Sequence, residues 1–405
     1  MASPASASQG RPTRVLIAGG GVAALEALLA LKDLAAERVS PLLLTPEPDF
    51  VYRPMAIAEP FDRGRVYRFD LAEIAADQGA ELQIGELASV DADSGTVRTG
   101  SGEEIPYDAL LVACGARPVE WLPGALTFGS RSDALEMRRL LADLEAGALR
   151  EVAFVLPGGA GWPLPLYELA LMTATWLANE GSADAVLTVV TSEGAPLEVF
   201  GPQASDAVGK LLSERGIHLL TNTYPAALDE RGLELVPNGR LAAERVVTLP
   251  RLTGPGISGL PHDDEGFLPI DEHCRVGGEA NVYAAGDATT FPIKQGGIAA
   301  QQADAVAIDI ARAGGLELEP SPFRPVLRGL LLTGEAPEFL RAELAGGRGD
   351  SFSASAQPLW WPPGKVAGRY LAPYLATITE AAMPRFEIEF DNSMRIDIQL
   401  APEPG

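Results

Sequence analysis

Two short segments more than two hundred residues apart constrain this chain most. The first, Gly19-Gly20-Gly21-Val22-Ala23-Ala24, follows an apolar run at 15–18 and precedes leucines at helical spacing (Leu25, Leu28, Leu29, Leu31, Leu34). That is the strand-turn-helix context of a dinucleotide-binding fold. Gly19 and Gly21 let backbone approach a pyrophosphate, Val22 and Ala23 open the helix, and Ala24 stands where a third small residue permits close packing. The second segment, Val282-Tyr283-Ala284-Ala285-Gly286-Asp287-Ala288, reads as another strand ending in Gly-Asp. Gly286 leaves room for a ligand, and an Asp287 carboxylate can accept hydrogen bonds from the hydroxyls of a ribityl chain. Together the two predict FAD.

Between them the chain alternates strands and helices. Leucines at 42–44 form the next buried strand, completing a βαβ unit, with Thr45 at its end and Glu47 two residues on. Either can bind the adenosine ribose. Residues 97–99 and 105–107 alternate like hairpin strands around a Gly-Ser-Gly turn, and 108–114 resume the parallel sheet. Pro118, Pro123 and Gly124 then mark a domain crossing.

The ordered stretches RVLIAGGGVAALEALLAL, FVYRPM, IPYDALLVACGARP and VYAAGDATTFPIKQGGIAAQQADAVA cover roughly residues 14–312. In that order they resemble the two-dinucleotide-binding-domain flavoproteins of the pyridine nucleotide-disulfide oxidoreductase superfamily, nearest to its sulfide:quinone oxidoreductase and type II NADH dehydrogenase branch. The resemblance implies an α/β protein with two Rossmann-like domains. A discontinuous FAD domain spans 11–120 and 255–325, an NAD(P)-binding-like domain spans 121–254, and a C-terminal interface segment, 326–405, ends in a β-hairpin. Besides the glycine turn, Thr45, Glu47, Gly286 and Asp287, it implies FAD contacts at Arg53, Pro54, Leu87, Ala113, Cys114, Gly115, Lys294, Gln295, Gly297 and Ile298. A helix N-terminus after Lys294 near the flavin's pyrimidine edge would stabilise the anionic reduced ring. Gln301 and Gln302 match the end of a glutamine-bearing helix that shapes the quinone site in type II NADH dehydrogenases, but Gly297 replaces its earlier glutamine.

The second domain departs from that pattern. Its strand-to-helix turn reads Pro157-Gly158-Gly159-Ala160-Gly161-Trp162-Pro163-Leu164-Pro165, with Trp162 and two prolines where small residues meet a pyrophosphate. NAD(P)H binding is therefore in question. Glu193, at the end of the following strand, is either a ribose ligand or a solvated strand end. The degenerate turn resembles the sulfide:quinone oxidoreductase branch, yet that branch's redox cysteines are missing: Trp162, Leu164 and Leu166 occupy the neighbourhood. The chain has only Cys114 and Cys274, in neither a C-x-x-C nor a metal-ligand spacing, and both are expected as small buried hydrophobes. No metal site is expected.

A net charge of −24 argues against nucleic acid and anionic lipid as partners. Residues 1–10 read as a disordered tail without an apolar core, and no uncharged run is long enough to span a bilayer, so a cytoplasmic location is expected. In the C-terminal third, Trp360, Trp361, Tyr370 and Tyr374 cluster with Lys365 and Arg369. Burial over the flavin or at a homodimer interface is favoured there over peripheral membrane contact. The alternating segment 385–400 predicts the final hairpin.

The expected activity is an FAD-dependent oxidoreductase carrying electrons from a reduced donor, NAD(P)H by resemblance, to a quinone-like or other small acceptor. One alternative is a sulfide:quinone-oxidoreductase-like enzyme acting on another small molecule without NAD(P)H. A second is a non-catalytic redox sensor or electron-transfer partner.

Overall fold

The computed structural model describes residues 11–129, 133–181, 184–237, 239–345 and 348–378. The N-terminal tail and the predicted final hairpin lie outside the described residues.

The first sheet contains β1 (Thr13–Ala18), β2 (Val39–Thr45), β3 (Glu81–Ile84), β4 (Ala109–Val112) and, from far along the chain, Val282–Ala284. The second contains β5 (Leu126–Thr127), β6 (Glu151–Val155), β7 (Val186–Val190), β8 (His218–Leu220) and β9 (Arg245–Thr248). With Val282–Ala284 as β10, the strand orders are β10-β4-β1-β2-β3 and β5-β9-β6-β7-β8. Every pairing in both sheets is parallel. Strands buried on both faces must be nearly continuous apolar runs, as β1, β4 and β6 are. The two passages of the chain between the sheets pair antiparallel, Arg117–Val119 with Arg251–Thr253. The hairpin expected near residue 100 is present, with Val97 opposite Ile105.

Helix α1 (Val22–Ala35) follows β1, α2 (Leu164–Asn179) follows β6, and α3 (Gly296–Ala313) follows β10. Ala23, Ala24, Ala27 and Ala30 of α1 share one buried core with Ala299, Ala303 and Ala307 of α3. Small side chains let helix backbones approach closely.

Residues 326–355 form an antiparallel sheet of β11 (Val326–Leu331), β12 (Glu338–Ala345) and β13 (Arg348–Ser355), which the sequence reading did not anticipate. Its signal was the Thr333-Gly334 turn, where Gly334 takes φ +82° and packs on Thr175 of α2. The short helix α4 (Leu371–Ile378) then returns the chain to α1. Glu26 of α1, fully buried, accepts hydrogen bonds from the Tyr370 and Leu371 amides at 2.8 and 2.7 Å, clamping the start of α4. No helix among the described residues is long and apolar enough to cross a membrane.

Candidate active site

The two distant glycine motifs meet in space. A Cβ on Gly286 would stand 3.4 Å from that of Ala23 and 3.3 Å from that of Ala299, so the Gly-Asp turn is wedged between the starts of α1 and α3. Gly286 has φ +77°, and its amide donates to Gln302 Oε1 at 2.7 Å. Gly19 has φ +134° and lies against the Ala113 carbonyl, with its own amide donating to Leu44 O at 2.8 Å. A side chain there would collide with backbone. Gly21 and Gly115, by contrast, face open space.

Gly21 caps α1 without a side-chain hydrogen bond, and the first helical bond runs from Leu25 to Gly21. The amides of Val22, Ala23 and Ala24 are left for an anion at the positive end of the helix. Thr45 is buried, with its hydroxyl turned to the backbone of Glu47, which is exposed. Of the two ribose candidates, Glu47 is therefore the accessible one. Two expectations need correction. Leu87 sits in an apolar cluster with Val97 and Leu44, so its side chain faces core rather than groove. Cys114 is exposed as a residue where the chain turns at Gly115, but its Sγ donates to Ala18 O at 3.4 Å and burial pushes the thiol up to about 12. Cys274 is buried, as expected.

Beyond this turn opens a cavity of about 1080 Å³. Arg53, Pro54, Asp287, Lys294 and Gln295 line one side, the 157–165 turn of the second domain another, and Arg328, Gly329 and Lys365 a third. Asp287 makes no side-chain hydrogen bond among the described residues. Burial raises its pKa and the nearby Lys294 opposes that rise. Lys294 donates to the Thr289 carbonyl and lies 3.8 Å from the centre of the Phe267 ring. Burial pushes its ammonium down to about 8, against the pull of Asp287, Asp263 and Glu265. Gln295 caps α3, accepting from the Ile298 amide at 3.0 Å and donating to Arg328 O at 3.1 Å. That leaves Gly297 and Ile298 as buried backbone of its first turn.

The glutamines matched to a quinone site are committed elsewhere. Gln302 holds Gly286, and Gln301 bonds to Gly297 O and to both backbone groups of Val326. Within the C-terminal aromatic cluster, Lys365 is buried and paired with Glu168 of α2, which also accepts from the Leu332 amide at 2.7 Å. Burial pushes Lys365 down and Glu168 up, each toward its neutral form, while their attraction opposes both shifts. Both line the cavity. Trp360 packs on Phe339 at 5.1 Å, whereas Trp361 is 80% exposed.

A profile of the pyridine nucleotide-disulphide oxidoreductases matches residues 13–304, spanning both glycine motifs and the second domain. The chain belongs to that family. It is 24% identical over 342 residues to demethylphylloquinone reductase NdbB of Synechocystis sp., covering 77% of this chain and 83% of that one. It is 28% identical over 225 residues to a sulfide-quinone reductase of Aquifex aeolicus, covering 53% and 52%. The solved sulfide:quinone oxidoreductase of Aquifex aeolicus superposes with a TM-score of 0.77 at 22% identity, covering 85% of this chain and 86% of that one. The protein is a flavin-dependent oxidoreductase, and its residues fit FAD: free helix amides for the pyrophosphate, an unbonded Asp287 for hydroxyls, and a cavity at the far end. Bound there, the flavin supplies the electron-carrying ring. Asp287→Ala is expected to yield protein purified with little flavin, read as the 450-nm to 280-nm absorbance ratio at roughly the wavelengths usual for flavoproteins. Full flavin occupancy in that variant would remove Asp287 from the site.

Proposed function

We propose that this protein reduces a quinone-type acceptor in the cavity and does not draw its electrons from a nicotinamide dinucleotide seated in the second domain. The buried Lys365–Glu168 pair carries the acceptor reading. A quinone leaves as a quinol only after gaining two protons with its two electrons, and Lys365 Nζ, buried beside Glu168 on the cavity wall, is a proton donor. Glu168 holds that ammonium in place and favours its reprotonation. The relatives named above, a demethylphylloquinone reductase and a sulfide-quinone reductase, support a quinone on the acceptor side.

The donor reading rests on the second turn. α2 begins at Pro163 and Pro165, which have no amide hydrogen, and the Leu166 amide is already bonded to Pro163 O. Few donors remain for a pyrophosphate. Gly158 and Gly159 face open space, but a Cβ on Gly161 would meet Lys294 Cγ at 2.7 Å and Pro292 O at 3.0 Å, so this glycine is pressed against the flavin half of the cavity. Glu193, the candidate ribose ligand, accepts from Tyr167 Oη at 2.6 Å and Thr191 Oγ1 at 2.9 Å. Trp162 stacks edge-on against Phe200, 5.8 Å between centroids.

Anaerobic titration separates the two halves of this reading. NADH and NADPH are expected to leave the flavin band unchanged, while photoreduced enzyme mixed with a naphthoquinone reoxidises rapidly. Bleaching by either nucleotide overturns the donor half, and reduced enzyme indifferent to quinones overturns the acceptor half.

A further inference from the structure

The charge lining the cavity is at odds with the charge of the protein. The chain carries 55 acidic against 31 basic side chains, yet in this one space the cations Arg53, Arg68, Arg251, Arg328, Lys294 and Lys365 offset the carboxylates of Glu59, Glu168, Asp263, Glu265 and Asp287. Among the described residues, only Arg68 of those four arginines has a carboxylate within ion-pair distance, Asp49 at 3.8 Å. Arg251 rests on the Trp121 ring at 5.1 Å, and Arg53 is exposed.

Arg328 is the anomalous member. Its side chain has no hydrogen bond, ion pair or aromatic partner among the described residues, although it is half-buried; burial and the Arg341 charge push its guanidinium below the ordinary range, with the Glu343 carboxylate pulling the other way from beyond ion-pair distance. It stands directly opposite Arg341 across the β11–β12 ladder, and Arg341 is already paired with Glu343 at 2.5 Å. Like charges facing each other across a ladder are destabilising, and so is a cation withdrawn from water without a partner. Neither cost has a structural return here: no helix end, turn or neighbouring strand is held by this side chain. What the position does offer is a place on the cavity wall beside the amide-rich start of α3, through Gln295 bonded to the Arg328 carbonyl. The pyrophosphate of the dinucleotide belongs at the start of α1, at the Gly21 turn, and none of the residues 19–24 lines this cavity. Its phosphate charge therefore does not account for the arginine.

We propose that the substrate of this cavity is an organic anion and that Arg328 binds its acidic group. This deepens the acceptor reading above by naming the substrate's charge class, and it rests on that reading. A guanidinium held in a partly dehydrated wall gives a charge-assisted hydrogen bond to a carboxylate or sulfonate, worth roughly ten- to a hundredfold in affinity. The surrounding −24 surface would repel such a substrate at long range, so its capture calls for a cation without a carboxylate partner, as Arg328 is among the described residues.

The test uses the FAD-loaded, full-length protein. After photoreduction, flavin reoxidation is followed in stopped flow with 1,2-naphthoquinone and with 1,2-naphthoquinone-4-sulfonate at low and high salt. In parallel, the dissociation constant of 2-naphthoate, which cannot be reduced, is read from the perturbed flavin band of oxidised enzyme. The sulfonated quinone is expected to react at least about tenfold faster per mole at low salt, with the advantage shrinking as salt rises. Arg328→Gln is expected to lose that advantage and to weaken naphthoate roughly tenfold or more while leaving the neutral quinone's rate within about threefold; Arg328→Lys should keep part of it. Equal losses on both quinones, or a changed flavin potential with an unchanged preference, would mean that Arg328 serves the flavin and overturn the proposal. If neither quinone reoxidises the enzyme, the acceptor reading fails, and Arg328-dependent naphthoate binding still decides the anion site. Naphthoate binding indifferent to Arg328→Gln sinks it.

Discussion

Lys365→Met is expected to destabilise the protein by on the order of 3–5 kcal/mol, because it strands a buried Glu168 that must either stay ionised with a single backbone donor, the Leu332 amide, or take up a proton. Adding Glu168→Gln removes the stranded charge and should restore most of that stability, since an amide can still accept from Leu332. Activity should part company with stability in this cycle. If Lys365 is the proton donor, quinone-dependent reoxidation in the double variant stays slower by roughly 10²–10⁴-fold, the usual worth of a positioned acid. Urea unfolding of the four members, with stopped-flow reoxidation on each, reads both quantities. A double variant that recovers full rate as well as stability would make the pair purely structural.

Asp304→Asn should stabilise the protein increasingly as pH rises. Asp304 of α3 lies beside Glu26 of α1, and one of its carboxyl oxygens is buried without a partner. Burial first, and the Glu26 charge second, push its pKa up to about 8, with Arg369 pulling the other way. Glu26 is itself raised by burial, while the amides of Tyr370 and Leu371 favour its ionised form. The consistent state near neutrality has the proton on Asp304, shared toward Glu26. In the unfolded chain Asp304 ionises near the ordinary carboxylate value, so its contribution to stability is fully present below about pH 4 and is lost as pH climbs through about 8. Asparagine copies the protonated form without that loss. The two proteins should match near pH 4.5 and differ by on the order of 3 kcal/mol above pH 8, the variant being the more stable. A gap that does not change with pH would show that the carboxyl does not titrate in this window. Since Glu26 clamps the start of α4, the segment following Lys365 should be the first to loosen in alkaline wild-type protein, visible as protection factors at 366–371 that fall after correction for base-catalysed intrinsic exchange.

Much of the fold was readable locally. Three glycines after an apolar strand, leucines at helical spacing and the Gly-Asp strand end each reflect backbone sterics or side-chain period, which act over a few residues. The proline-filled second turn was equally readable, since a proline lacks its amide hydrogen in any fold. The β11–β13 sheet has only a weak local signal, Thr333-Gly334 between two apolar runs, followed by a denser cluster of aromatics. At Cys114 the apolar strand context holds for the thiol, which burial pushes up to about 12, while Gly115 at φ +72° turns the backbone outward there. The pairing of Lys365 has no local signal: a lysine between prolines and glycines has a surface pattern, and Glu168, 197 positions away, makes its burial tolerable.

By itself, then, the amino-acid order determined the two parallel-sheet domains, the dinucleotide turn and the weakness of the second one, all consequences of short-range conformational rules. Tertiary structure alone decided which distant groups meet: Gly286 against Ala23, Glu26 under α4, Glu168 with Lys365 on the cavity wall, and Arg328 on the same wall without a hydrogen-bond or ion-pair partner among the described residues. These depend on desolvation and on pairings between distant segments, and the free energy of a buried charge is set by what the folded chain places next to it.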